Sequence, residues 1–244
     1  VLPWLHCCPL TAKQDDVVKE YRQHKYEVPK GATEIILVRH GESRAATADN
    51  PFPLVDGQGD PELAPQGREQ AIAVGERLKH LPVSAIYVTS LQRTAETAAP
   101  LCAHLEIEHR VDPDLREVHL GDWEGGQFRV MVHENHPLYV KMHEEQRWDV
   151  IPGAESREAL QERIERGLNR IAQAHPNELV VAVLHGGVIG HIMAEATGST
   201  PFAFNGCDNG SISRIVMVDG KIVVRGFNDV SHLSTLETLE SLPT

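Results

Sequence analysis

TEIILVRHGE, residues 33–42, joins two unlike pieces. TEIILV is short, β-branched and almost continuously apolar, as expected of a strand buried on both faces of a parallel sheet. RHGE then places a permanent cation and a titratable ring at the strand's carboxyl end. In open α/β sheets, ligands bind in the crevice beyond such ends. A surface Arg-His pair would look the same, so the triplet needs support from elsewhere in the chain. ELVVAVLHGG (178–187) supplies it, as a second buried run that ends in His-Gly. If the two strands lie parallel in one sheet, His40 and His185 face one crevice. SAIYV (84–88) is a third, shorter strand, and the TSLQR after it puts Arg93 in the first turn of a helix. A helix N-terminus beside an Arg is a natural anion site. Two Arg forks and two imidazoles around one crevice suit a phosphoryl group, whose oxygens accept bidentate guanidinium bonds.

Between these anchors the chain alternates strand and helix. A helix is expected over Arg68–Leu81 with Ile72, Gly75 and Leu78 on its apolar face. Another is expected over 90–105, carried by Leu91, Ala95, Ala98, Cys102 and Leu105 and kinked at Pro100. Residues 129–148 form a helical segment broken near Pro137. Glu155–Ala174 is amphipathic through Leu160, Ile164, Leu168 and Ile171, and Val188–Ala196 follows as a further helix. Asp219-Gly220 between two β-rich runs marks a hairpin. The order β-α-β-α, then helices, then β-α and a hairpin indicates an α/β fold with a mostly parallel central sheet. A polar loop, 45–67, is long enough to suggest function by length alone.

The 244 residues allow one sizeable domain with appendages. Residues 1–30 are expected to be an extension, 31–230 the catalytic domain and 231–244 a polar tail. A net charge of −12 argues against general nucleic-acid binding. No apolar run is long enough to span a membrane, and residues 1–10 make a poor signal peptide. Cys7, Cys8, Cys102 and Cys207 form neither a zinc pattern nor a disulfide framework, so a reducing cytoplasm is expected. His133 and His136, with His143, are too sparse for a metal site, and neither metal nor cofactor is expected.

Six stretches in one order resemble the histidine phosphatase superfamily, the group of the cofactor-dependent phosphoglycerate mutases and many phosphatases: RHGES (39–43), LAPQGREQA (63–71), VTSLQRTAETA (88–98), LREVHLGDWEG (115–125), PGAESREAL (152–160) and VLHGGVIG (183–190). The resemblance implies a three-layer α/β/α fold of the phosphoglycerate mutase kind. It implies His40 as a nucleophile that becomes phosphohistidine, with Arg39, Arg93 and His185 holding phosphoryl oxygens. Glu117 would give a proton to the leaving group, with Glu124 as the competing carboxylate. Gly57, Gln58, Trp123 and Phe128 are candidates for the substrate pocket, although Trp123, Phe128 and Trp148 are as readily explained by packing.

Two departures from the mutases matter. Their Asn six residues beyond the nucleophile is Ala46 here, with Asn50 the nearest substitute. Their carboxylate-gripping Tyr and Lys fall at Leu120 and Phe128, and the segment before the second His is too short for their insertion. The sequence therefore implies a phosphomonoester phosphatase for a small phosphorylated metabolite. Phosphoglycerate mutase is the same-fold alternative, and a non-catalytic phosphate-ligand binder is the alternative of another class. Oligomeric state is not legible.

Overall fold

The computed structural model describes residues 20–47 and 49–233. Most of the N-terminal extension and of the polar tail lies outside these residues, as do Cys7 and Cys8. Among the described residues no helix is long and apolar enough to cross a membrane.

A six-stranded sheet forms the middle layer. In chain order its strands are β1 (Thr33–Arg39), β4 (Val83–Val88), β5 (Arg110–Val111), β6 (Leu179–Leu184), β7 (Ile212–Val218) and β8 (Lys221–Asp229). They lie side by side as β5-β4-β6-β1-β7-β8. The pairs β5–β4, β4–β6 and β6–β1 are parallel, whereas β7 runs antiparallel to both its neighbours. The expected mostly parallel sheet is thus present. The DG turn closes the β7–β8 hairpin with both residues at positive φ, 49° at Asp219 and 71° at Gly220, as a two-residue turn that matches strand twist requires.

Alternation along the strands sorts the core into two layers. Ile35, Leu37, Val180, Ala182 and Leu184 face α5 (Arg157–Ala174) and α6 (Gly186–Thr197). Ile36, Val38, Ile86, Val181 and Val183 face α1 (Pro65–Leu78) and α2 (Gln92–Leu105). This is the three-layer α/β/α arrangement. α5 starts where Ser156 Oγ accepts from Ala159 N at 3.2 Å, satisfying a donor left open at the helix start. Its Leu160, Ile164, Leu168 and Ile171 are all buried, as the period predicts.

Three expectations need correction. The first helix begins at Pro65, whose fixed φ suits a first helical position, and its apolar face is Ala71, Val74 and Leu78 with Gly67 and Gly75; Ile72 is 55 % exposed. The second helix starts at Gln92 rather than at residue 90 and runs to Leu105 with Pro100 inside it. The long loop contains a small hairpin, β2 (Leu54–Val55) with β3 (Gln58–Gly59), turned by Asp56-Gly57. The break near Pro137 is real: α3 (Gln127–His133) ends before it and Pro137 opens α4 (Pro137–Glu145). Trp123, Met142 and Ile151, with Phe128 and Trp148 packed against them, form a third cluster that joins this pair to the rest.

Candidate active site

Parallel pairing puts the carboxyl ends of β1, β4 and β6 on one edge. Arg39 is in register with Leu184, and His40 N donates to Leu184 O at 3.0 Å. The next residue of β6's chain is His185, so the two imidazoles meet edge to face with centroids 5.1 Å apart.

Two bonds fix the His40 tautomer. Nδ1 lies 2.7 Å from Gly41 O. A carbonyl only accepts, so Nδ1 carries the proton. Arg93 Nε donates to His40 Nε2 at 3.2 Å. A guanidinium only donates, so Nε2 carries the lone pair. The residue is 5 % exposed. Burial first, then Arg93 and Arg39, hold its pKa well below 6.5, because desolvation and neighbouring cations both disfavour a charged imidazole. His40 is a neutral nitrogen base aimed at Arg93.

Arg93 is itself buried. Its NH1 donates to Gly59 O at 2.9 Å and sits 3.9 Å from Asp60 Oδ1. Burial pushes its pKa down to about 10 against the pull of Glu117 and Asp60, which leaves it charged at neutral pH. Arg39 NH1 donates to Cys207 O, while its Nε is buried with no protein partner. His185 Nε2 is 3.0 Å from Thr89 Oγ1, and its Nδ1 is likewise buried and unpartnered. Burial and Arg93 lower the His185 pKa well below 6.5. Orphaned buried polar atoms are costly unless an acceptor or donor arrives, and here two of them belong to Arg39 and His185, the residue next to His40 in the chain and the one whose ring packs on it.

Glu117 lines the same cavity as His40 and Arg93. Its Oε1 accepts from Val118 N at 3.0 Å and its Oε2 from Gly187 N at 3.3 Å. Gly187 is required by this approach, since a Cβ there would lie 2.7 Å from Glu117 Oε1. Glu124 also lines the cavity, but its Oε1 accepts from Leu120 N and its Oε2 from Gly59 N, both at 2.8 Å. Those bonds tie two loops together, and each of the two carboxylates accepts a backbone N–H through both of its oxygens.

Two cavities meet at Arg39, His40 and Arg129. One, about 280 Å³, is walled by Arg93, Glu117 and the apolar groups of Phe52, Leu120, Trp123, Phe128 and Trp148. The other, about 570 Å³, runs past Ser43, Ala46, His133 and Asn209. A third, about 520 Å³, opens between α5, α6 and the β7–β8 turn and shares no residue with them. Of the pocket candidates, Gln58, Trp123 and Phe128 line the first cavity. Gln58 also donates to Glu117 O at 2.6 Å. Gly57 does not line it. It occupies the β2–β3 turn, where its φ of 82° is the requirement. Asn50 is exposed, bridges to Thr47 and lines neither cavity. Among the described residues, no three His, Cys, Asp or Glu side chains gather as a metal site.

The sequence reading missed three residues here. Asn209 Nδ2 donates to His40 O at 2.9 Å, pinning the backbone of His40. Arg163, on α5, donates to the carbonyls of Asp114, Arg116 and Glu117 and grips Glu155 with two bonds of 2.7 and 2.8 Å. Arg129, on α3, stands at the junction of the cavities. Arg163 sits on the polar side of an amphipathic helix, where periodicity expects solvent, and nothing local marks Asn209 or Arg129.

Comparison with known proteins identifies the family. Residues 35–230 match the model of the histidine phosphatase superfamily (branch 1). The chain is 38 % identical over 215 residues to phosphoglycerate mutase-like protein 4 of Arabidopsis thaliana, covering 85 % of this chain and 90 % of the relative. It is 31 % identical over 230 residues to metal-independent phosphoserine phosphatase of the same plant, covering 92 % and 94 %. Among solved structures, mycobacterial glucosyl-3-phosphoglycerate phosphatase superposes with a TM-score of 0.68 at 26 % identity, over 81 % of this chain and 99 % of that one. This chain is an enzyme of the histidine phosphatase superfamily, branch 1.

Proposed function

We propose that the enzyme hydrolyses phosphomonoesters of small metabolites through a phosphohistidine on His40 Nε2. One observation carries the reading: the His40 tautomer leaves the Nε2 lone pair facing Arg93, in a site where Arg39 Nε and His185 Nδ1 are also buried without a protein partner. A phosphoryl dianion placed there gives those groups the partner they lack. The Nε2 lone pair forms the N–P bond as the ester P–O bond breaks. Protonated Glu117 passes its proton to the departing oxygen, which leaves as an alcohol. Water then attacks phosphorus, gives its proton to Glu117, and the N–P bond breaks to return His40. Positioning and charge neutralisation supply most of the rate, the covalent intermediate divides the displacement into two easier steps, and the acid adds roughly 10²–10⁴-fold.

The positions of the mutase carboxylate grip favour hydrolysis over mutase chemistry, because Leu120 and Phe128 line the cavity without a donor. Phosphoserine and glucosyl-3-phosphoglycerate, the substrates in the relatives' names, are the first metabolites to assay. The test is rapid quench with a ³²P-labelled aryl phosphate. An acid-labile, base-stable label on His40, absent from His40→Ala, is expected, with turnover by that variant down roughly 10⁴-fold or more. Turnover by folded His40→Ala near the wild-type rate would end this mechanism.

A further inference from the structure

We propose that Arg129 is a second anion anchor, selecting phosphomonoesters that carry a further carboxylate or phosphate near the scissile ester. The inference deepens the phosphatase reading and rests on it. Arg129 lies on the first turns of α3, one residue past Phe128 and at the junction of the two cavities that share His40. Its guanidinium is held from three sides. NH1 donates to Arg44 O at 2.8 Å, NH2 to Ser43 Oγ at 2.7 Å, and the carbon of the fork stands 5.2 Å from the centroid of the Phe52 ring.

All three restraints are electrically neutral. Among the described residues no carboxylate comes within ion-pair distance of Arg129. Glu42 attracts it without bonding, while Arg39 and Arg44 repel it, and partial burial together with Arg39 lowers its pKa. Arg44 has Glu62 at 3.0 Å and Arg93 has Asp60 at 3.9 Å. An Arg left to solvent loses entropy when fixed, so fixing one with neutral acceptors beside another cation makes sense for an anionic ligand. The two bonds above use two of the five guanidinium N–H groups, and the residue lines both cavities. The phosphoryl group already has Arg39, Arg93 and His185. A second anion on the same small molecule is the group left for Arg129 to meet.

Matched ester pairs test this with wild type and Arg129→Met. Glycerol 3-phosphate against 3-phosphoglycerate isolates a carboxylate. Fructose 6-phosphate against fructose 1,6-bisphosphate isolates a second phosphate. Phosphate release should show the variant losing about tenfold or more in kcat/KM on the doubly anionic member of one pair beyond its loss on the other member, as expected for one charge-assisted bond. The affected pair names the anion, and Arg129→Lys should recover part of the loss. Equal losses within both pairs would place Arg129 on the scissile phosphoryl group and overturn the proposal. No loss on any ester would overturn it too. If wild type releases phosphate from none of them, the phosphatase reading is what has failed. Binding of 3-phosphoglycerate and glycerol 3-phosphate to both proteins then settles the anchor: a selective loss for 3-phosphoglycerate in the variant supports it, and unchanged relative affinity rejects it.

Discussion

Arg93 Nε donates to the His40 Nε2 lone pair across 3.2 Å. The guanidinium therefore does two things to one ring. It occupies the nitrogen that would attack phosphorus, and its charge helps keep that nitrogen unprotonated. A guanidinium–imidazole bond at 3.2 Å is long for a charged donor. Phosphoryl oxygens are better acceptors, so an arriving substrate would draw Arg93 away and uncover Nε2.

The same electrostatics predict how stability depends on pH. His40 and His185 are buried with pKa values well below 6.5, and both are neutral when folded. Unfolded, each takes up a proton near 6.5. Below that pH the unfolded chain binds more protons, so their contribution is complete above pH 6.5 and is lost as the pH falls toward the folded values. Each contributes a slope of up to about 1.4 kcal/mol per pH unit in that window. Denaturant unfolding between pH 7 and 5 should show stability falling with pH, and His40→Gln with His185→Gln should flatten the fall. An unchanged slope in the double variant would mean that other groups carry it.

Glu117→Gln should separate substrates by leaving group. The amide keeps an oxygen for Val118 N or Gly187 N but has no acidic proton to give. Alkyl phosphates need that proton and should lose roughly 10²–10⁴-fold in kcat. Aryl phosphates leave as stable phenoxides and should lose far less. Equal losses in the two series would mark Glu117 as a structural carboxylate.

What the sequence made legible follows from how local each signal is. β1, β4 and β6 are mostly apolar runs; β1 and β6 stop at His40 and His185 and β4 leads within one turn of helix to Arg93, so strand and candidate site could be read together. The β7–β8 hairpin was legible because Asp219-Gly220 meets the backbone demand of its turn. β2 and β3 were not, because two-residue strands have no periodicity to detect. Ile72 misled because it lies one residue from the buried face: Ala71 and Val74 carry it and Ile72 points outward. Arg163 and Arg129 owe their places to tertiary contacts with residues 46 and 86 positions away, which no local pattern records.

Arg163 offers a test of positioning at a distance. Its NH1 and NH2 satisfy three carbonyls of the segment leading into Glu117, and it pairs with Glu155 with both side chains largely buried. Arg163→Leu would leave the Asp114 and Arg116 carbonyls without this donor and the Glu155 carboxylate without its cation, while Glu117 O would keep Gln58. Breaking one partner of such a pair costs roughly 3–5 kcal/mol, readable as a drop in the denaturation midpoint. At temperatures where the variant remains folded, kcat on alkyl phosphates should fall more than on aryl phosphates, because a displaced Glu117 loses its proton-donor role first. A stability loss with an unchanged alkyl-to-aryl ratio would restrict Arg163 to scaffolding.

Phosphatase and mutase differ in what becomes of the phosphohistidine. A mutase must hold it away from water until the phosphoryl group passes to a bound acid. Here His40 borders two cavities, about 280 and 570 Å³, so there is room for water beside the N–P bond. Leu120 and Phe128 supply no donors to keep an acceptor acid in place, and an Arg129 bond to a carboxylate would fix only one end of it. Discharge to water should therefore outrun return to an acid. With 3-phosphoglycerate and its bisphosphate cofactor, free phosphate should accumulate well ahead of 2-phosphoglycerate. An aryl phosphate should be hydrolysed with no bisphosphate added, and oxygen from ¹⁸O-labelled water should appear in the released phosphate. If 2-phosphoglycerate forms much faster than free phosphate, the intermediate is shielded and the chain works as a mutase.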